Sequence, residues 1–120
     1  MNISPLHSAI AGMNVNAAKL SVAAHNIANI NTDSFKASTA TIESNAGGYP
    51  EVKISLSTNP GAMIPTSGGL PEGEETRELS NVDMVNEFVQ MKISEYGYRA
   101  NTSIIRTQDE MLGSIIDIIA

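Results

Sequence analysis

Apolar side chains at Leu6, Ile10, Met13, Ala17, Leu20, Ala24 and Ile27 follow Ile3 at alternating spacings of three or four residues. A stripe that repeats every 3.5 residues predicts a helix buried along one narrow seam. A second helical pattern occupies the last forty residues, with Val85, Phe88, Val89, Ile93, Tyr96, Ala100, Ile104, Ile105, Met111, Leu112, Ile115, Ile116, Ile118 and Ile119 apolar. Towards its end the stripe widens until only Asp117 interrupts it. A helix apolar on several sides must be covered on several sides. The first helix is too short to do this, so other chains must contribute. The expected fold is mainly α: N- and C-terminal helices paired as an antiparallel coiled-coil-like hairpin, with a small β-hairpin or loop insert between them.

Three stretches divide what is expected to be one structural domain: 1–37, a helix and an Asn-rich turn; 38–79, the insert; and 80–120, the second helix. Ser4-Pro5 starts the first helix, a hydroxyl cap followed by a proline suited to the first turn. That helix should span residues 5–28, and Gly12 within it marks either a close approach of another backbone or a tolerated surface glycine. The run Asn26-Ile27-Ala28-Asn29-Ile30-Asn31-Thr32-Asp33-Ser34-Phe35-Lys36 reads as a helix end flowing into a structured turn. Asn29 and Asn31 are expected to satisfy backbone groups there, with Ile27, Ile30 and Phe35 as apolar anchors. Residues 37–43 and 51–57 form a candidate hairpin around Gly47-Gly48, with Val52, Ile54 and Leu56 on its inner face. An aspartate at Ile54 should therefore damage folding. Residues 58–78 read as a loop without periodicity. Ser80 or Asn81 should cap the second helix, expected over 82–118, with Asp83 placing a negative charge in its first turn.

Charge excludes some functions. The net charge is −6, and Lys19 and Lys36 are the only basic residues of the first stretch. No basic cluster exists to neutralise phosphates, so nucleic acid is not an expected partner. The acidic run Glu72, Glu74, Glu75 and Glu78 is expected to be a solvated linker. Without cysteine there is no disulfide or thiol chemistry. No window reaches the ~20 apolar residues of a membrane span, and the N-terminal residues do not resemble a cleaved secretory signal. His7 and His25 have no helix-spaced acidic or histidine partner, Gly68-Gly69 lacks a phosphate-loop context, and no nucleophile elbow appears. Enzyme chemistry, metal and cofactor are therefore not expected. Met13, Met84, Met91 and Met111 read as core filler.

Residues 20–36, LSVAAHNIANINTDSFK, resemble the N-terminal signature of bacterial flagellar rod and hook proteins, roughly L-x-V-x-A-x-N-I-A-N-x-N-T-x-G-F-K. Residues 80–113, SNVDMVNEFVQMKISEYGYRANTSIIRTQDEMLG, are similar to the matching C-terminal signature: S-N-V-D, then Y-x-A-N, then D-E-M-L-G. The resemblance implies an axial structural subunit of the basal body, outside the cytoplasm, whose terminal helices polymerise around an export channel. It also implies partnership with itself and with other rod and hook proteins, and export by the flagellar type III apparatus without a cleaved signal. The short interior resembles proximal-rod subunits. Ser34 stands where the family usually has Gly, His25 where it has Asn, Lys92 at an apolar position, Gly97 at a usual Ala and Arg99 at a usual acid. Gly97 should loosen the second helix, and Lys92 should snorkel or pair with Glu87 or Glu95. The residues expected to carry assembly or the turn are Leu6, Ile10, Met13, Leu20, Ile27, Asn29, Asn31, Phe35, Asn81, Tyr98, Asn101, Met111, Leu112, Ile115, Ile116 and Ile119. The rival expectation is a soluble coiled-coil adaptor that binds one helical partner without polymerising.

Overall fold

The structure, a computed structural model, describes residues 4–66 and 76–119. Two helices, α1 (Ser4–Ala28) and α2 (Met84–Ile119), pack on one another. Between them in sequence lie β1 (Ser38–Ser44) and β2 (Pro50–Leu56), joined as an antiparallel hairpin that also packs on α1, and the short antiparallel pair β3 (Met63–Pro65) and β4 (Thr76–Glu78). The whole measures 85 × 26 × 14 Å.

The helix contacts run in opposite chain order. Gly12 lies against Asn101, Asn16 against Gly97, and Asn26 against Glu87. On the Asn101 side of this overlap α2 continues to Ile119, whereas α1 has only Ser4–Ala11. The buried residues of α1 are Ala9, Val15, Ala23 and Asn26; Ser94 is the buried residue of α2. The core is thus thin and built of small side chains. Ser94 Oγ finds no hydrogen-bond partner among the described residues.

This corrects the expected seam. Ile10 is 43% exposed and Leu20 37%, Ala17 and Ala24 are exposed, and Leu6, Met13 and Ile27 are half-buried. The covered stripe begins one residue earlier, at Ala9, about 100° round a helix of 3.6 residues per turn. Periodicity reveals that a helix has an apolar stripe, but a narrow contact with another helix favours side chains small enough for close approach. Met84 and Met111 are likewise exposed rather than core filler.

The β1–β2 register pairs Ser38 with Leu56 and Ser44 with Pro50. Asn45 closes the turn: its Oδ1 accepts from the backbone N–H groups of Gly47 and Tyr49 at 2.9 and 3.1 Å. Val52 is half-buried against the helix side, but Ile54 and Leu56 are exposed. Ile54, on whose burial the expected folding damage from an aspartate rested, thus lies outside the core.

Residues 58–78 are not a structureless loop throughout, since β3 and β4 lie within them. Their pattern is too short for period 2 to register. The expected linker residues Glu72, Glu74 and Glu75, and Gly68-Gly69, lie outside the described residues, as does Ile3. The Ser4 cap also falls outside what is described, because only the backbone of Ser4 is placed, as the first residue of α1.

Candidate functional site

The two signature segments meet at the junction of α1, the hairpin and the start of α2. Asn26 is its centre and is fully buried. Its Nδ2 donates to the Ser38 carbonyl and to Glu87 Oε1, both at 2.8 Å, and its Oδ1 accepts from the Ser38 N–H at 2.8 Å. One side chain thus ties α1 to β1 and to α2. A buried amide with both donors and its acceptor used avoids the cost of about 1–3 kcal/mol for each unsatisfied group.

Asn81 repeats the device one layer away. Its Oδ1 accepts from the Ala37 N–H at 2.7 Å, and its Nδ2 donates to Ser57 Oγ at 3.0 Å and to the Asn59 carbonyl at 2.8 Å. Its own N–H donates to the Phe35 carbonyl at 3.3 Å. Asn81 therefore does not cap α2, contrary to expectation. The cap is Asp83, whose Oδ1 accepts from the N–H groups of Val85 and Asn86 at 3.0 and 3.2 Å. Three cap-competent side chains, Ser80, Asn81 and Asp83, stand within four residues, and the tertiary bonds of Asn81 removed it from the choice. Ser80 Oγ accepts from the Val82 N–H at 3.3 Å.

Glu78 completes the junction. It pairs with Lys36, and its Oε1 accepts from the Gly61 N–H at 2.7 Å. The Lys36 ammonium, and next the Gly61 N–H, hold the Glu78 carboxyl below the ordinary Glu range. Lys36 also donates to the Asn59 carbonyl at 3.2 Å. Glu78, expected to be solvated, is thus a structural anchor. Gly61 is obligatory here, since a Cβ would stand 1.9 Å from the Leu79 carbonyl oxygen.

Between α1 and β1 the chain turns through successive short bonds, with the N–H groups of Asn29, Ile30 and Thr32 donating to the carbonyls of Asn26, Ile27 and Asn29. Asn29 Nδ2 donates to the His25 carbonyl at 2.9 Å and its Oδ1 accepts from Thr32 Oγ1 at 3.1 Å. Asn31 is exposed, and its side chain makes no hydrogen bond among the described residues. Of the two turn asparagines, then, only Asn29 bonds the turn. Ser34 has φ 59°, in the left-handed region that glycine tolerates best, and its N–H donates to the Glu78 carbonyl at 2.8 Å. Phe35 is half-buried, edge-on to His25 with ring centroids 5.5 Å apart.

Along the helices, Thr102 Oγ1 donates to the Tyr98 carbonyl at 3.0 Å and lies 3.9 Å from Met13 Sδ. Asn101 is half-buried and Tyr98 exposed. Lys92 pairs with Glu95 at 3.0 Å, and Arg99 reaches the same carboxylate at 2.8 Å. The Lys92 contact raises the lysine's pKa and lowers that of Glu95. Both cations are well exposed, so these pairs add little stability. Farther along, Leu112 is half-buried while Met111, Ile115, Ile116 and Ile119 are exposed, with Ile118 at 82% and Ile119 at 81%. Among the described residues, no group of His, Asp and Glu is placed to hold a metal ion, and no helix is long and apolar enough to cross a membrane.

The sequence reading missed Asn26, Glu87 and Glu78. A signal for Asn26 existed: it lies on the same helical stripe as Gly12, Asn16 and Ala23.

Residues 6–36 match the family described as flagella basal body rod protein, and residues 76–118 match the C-terminal family of the flagellar basal body rod FlgEFG proteins. The chain is similar to the flagellar hook protein FlgE of Treponema pallidum, 38% identical over 60 residues, which are 48% of this chain and 13% of the hook protein. It is also similar to the basal-body rod protein FlgG of Bacillus subtilis, 39% identical over 41 residues, 34% of this chain and 16% of the rod protein. Similarity to FlgE of Salmonella typhimurium is 33% over 60 residues, 48% of this chain and 15% of that protein. The matched stretch is thus less than a fifth of each relative's length. Both matched segments contribute to the junction, Asn26 and Lys36 from the first and Glu78, Asn81 and Glu87 from the second, and the chain belongs to the flagellar basal-body rod and hook protein family.

Proposed function

We propose that the chain is a structural subunit of the flagellar basal-body rod, polymerising through its terminal helices into the axial tube. In this reading α1 and α2 form an antiparallel coiled-coil-like hairpin, and residues 38–79 form a small insert within one domain. The opposite chain order of the contacts at Gly12, Asn16 and Asn26 supports that pairing. The brevity of the insert favours a short proximal-rod type. Its partners would be further copies and other rod and hook proteins, reached after export by the flagellar type III apparatus, and its role needs no catalysis.

The observation that carries the reading is the apolar end of α2. Ile115, Ile116, Ile118 and Ile119 are exposed beyond the length that α1 overlaps. Burying each would contribute roughly 1.5–3 kcal/mol, a strong drive to association. A chain ending after Gly113 should stay largely helical but no longer self-associate or enter rods, read by sedimentation at matched concentration. Equal association of the shortened and full chains would overturn the proposal. A discrete complex with a single helical partner, without growth at high concentration, would instead favour the adaptor reading.

A further inference from the structure

Each helix carries a glycine followed four residues later by an asparagine: Gly12 and Asn16 on α1, Gly97 and Asn101 on α2. Asn16 Nδ2 donates to the Gly12 carbonyl at 2.8 Å, and Asn101 Nδ2 donates to the Gly97 carbonyl at 2.9 Å. Each amide then lies over the other helix's glycine. A Cβ on Gly97 would stand 2.6 Å from Asn16 Oδ1, and a Cβ on Gly12 would stand 2.7 Å from Asn101 Nδ2. Every member of the set serves twice: each glycine accepts from its own helix's asparagine and leaves room for the other's.

We propose that Gly12, Asn16, Gly97 and Asn101 form a reciprocal clasp that fixes the register of α1 against α2, and so decides which length of α2 is left for assembly. The second clause rests on the rod-subunit reading; the first does not. A heptad pattern alone permits sliding by a turn or by a heptad, because apolar contacts are non-directional. Polar side chains at a helix interface select one register. Sliding α2 by one turn would set an amide against a residue with a Cβ, and that amide could avoid the clash only by giving up its Nδ2 hydrogen bond to its own helix. This gives Gly97 a role opposite to loosening the helix, since its missing Cβ makes room for Asn16.

Two measurements on the full chain test the clasp. The first is the thermal midpoint by circular dichroism for Gly97→Ala in two backgrounds. With Asn16 present the substitution should lower the midpoint by on the order of 5 °C, although alanine is the better helix former. With Asn16→Ala it should raise the midpoint, because the clash is gone. Gly12→Ala should reverse sign in the same way with Asn101→Ala. The same sign in both backgrounds would overturn the clasp.

The second measurement reads register directly, at concentrations where the chain is monomeric. The chain has no cysteine, so introduced pairs report alone. Met13→Cys with Thr102→Cys should form a disulfide at roughly tenfold the yield of Met13→Cys with Tyr98→Cys or Arg106→Cys, one turn away on either side. Adding Asn16→Ala and Asn101→Ala should bring the three yields within about twofold of each other. If the preference for position 102 persists without the asparagines, the register claim is overturned even where the midpoints reverse. Neither readout requires association, so a failed rod-subunit reading would leave both outcomes interpretable.

Discussion

Where α1 and α2 overlap, the residues between them are mostly small or polar, with Gly12, Asn16, Ala23, Asn26, Ser94 and Gly97 beside Met13. Beyond the overlap, α2 carries Ile115, Ile116, Ile118 and Ile119 into solvent. The first region gains little from apolar area and is specified by directed hydrogen bonds and close approach. The second offers large apolar area with few directional groups. A contact that must form once, with one partner in one register, is served by geometry; a contact that must drive association is served by area. The difference separates residues whose loss unfolds the chain from residues whose loss leaves a folded chain alone.

The contrast breaks most visibly at Asn26. Asn26→Ala leaves the Ser38 N–H, the Ser38 carbonyl and Glu87 without their partner, and should cost about 3–5 kcal/mol in urea unfolding. Ile119→Asp, at a side chain 81% exposed, should stay within about 0.5 kcal/mol of the parent monomer. Equal losses for the two would erase the distinction.

Acid should loosen the junction before the helix overlap. The Glu78 carboxyl titrates below its ordinary value of 4.5 because Lys36 and the Gly61 N–H favour the charged form. Its contribution is therefore present above that value and is lost as pH falls through the lower folded pKa. The amide resonance of Gly61 should move over that acid range, and Glu78→Gln should abolish the movement.

Within the turn, Asn29→Ala should cost about 1 kcal/mol through its two local bonds. Asn31→Ala should stay within about 0.5 kcal/mol. Thermal midpoints of the pair separate a bonded asparagine from a solvated one; equal midpoints would mean that the local bonds of Asn29 contribute nothing net.

The smallest change should be a gain. Ser94 is buried with no hydrogen-bond partner for its hydroxyl among the described residues. Ser94→Ala keeps the close helix approach, removes the unpaired group and improves helix propensity. It should stabilise by about 0.5–1 kcal/mol, measured by urea unfolding. A loss of stability would show that the hydroxyl has a partner in solution, and would sharpen the account of the seam as polar by design.

The sequence by itself determined the two long helices, the hairpin around Gly47-Gly48 and the two signature segments, because these depend on local periodicity, turn chemistry and short motifs. It also exposed the isoleucine-rich end of α2, since a stripe that widens all round a helix cannot be covered by one neighbour. Only the tertiary structure decided which stripe of α1 faces α2, and it chose Ala9, Gly12, Asn16 and Ala23 over Ile10 and Leu20. It likewise turned Asn81 from a helix cap into a strand tether, and Glu78 from a linker acid into an anchor. Local preference states what a side chain is able to bond. Which of several competent groups receives the bond depends on residues far away in sequence, here Ala37 for Asn81, Lys36 for Glu78 and Ser38 for Asn26.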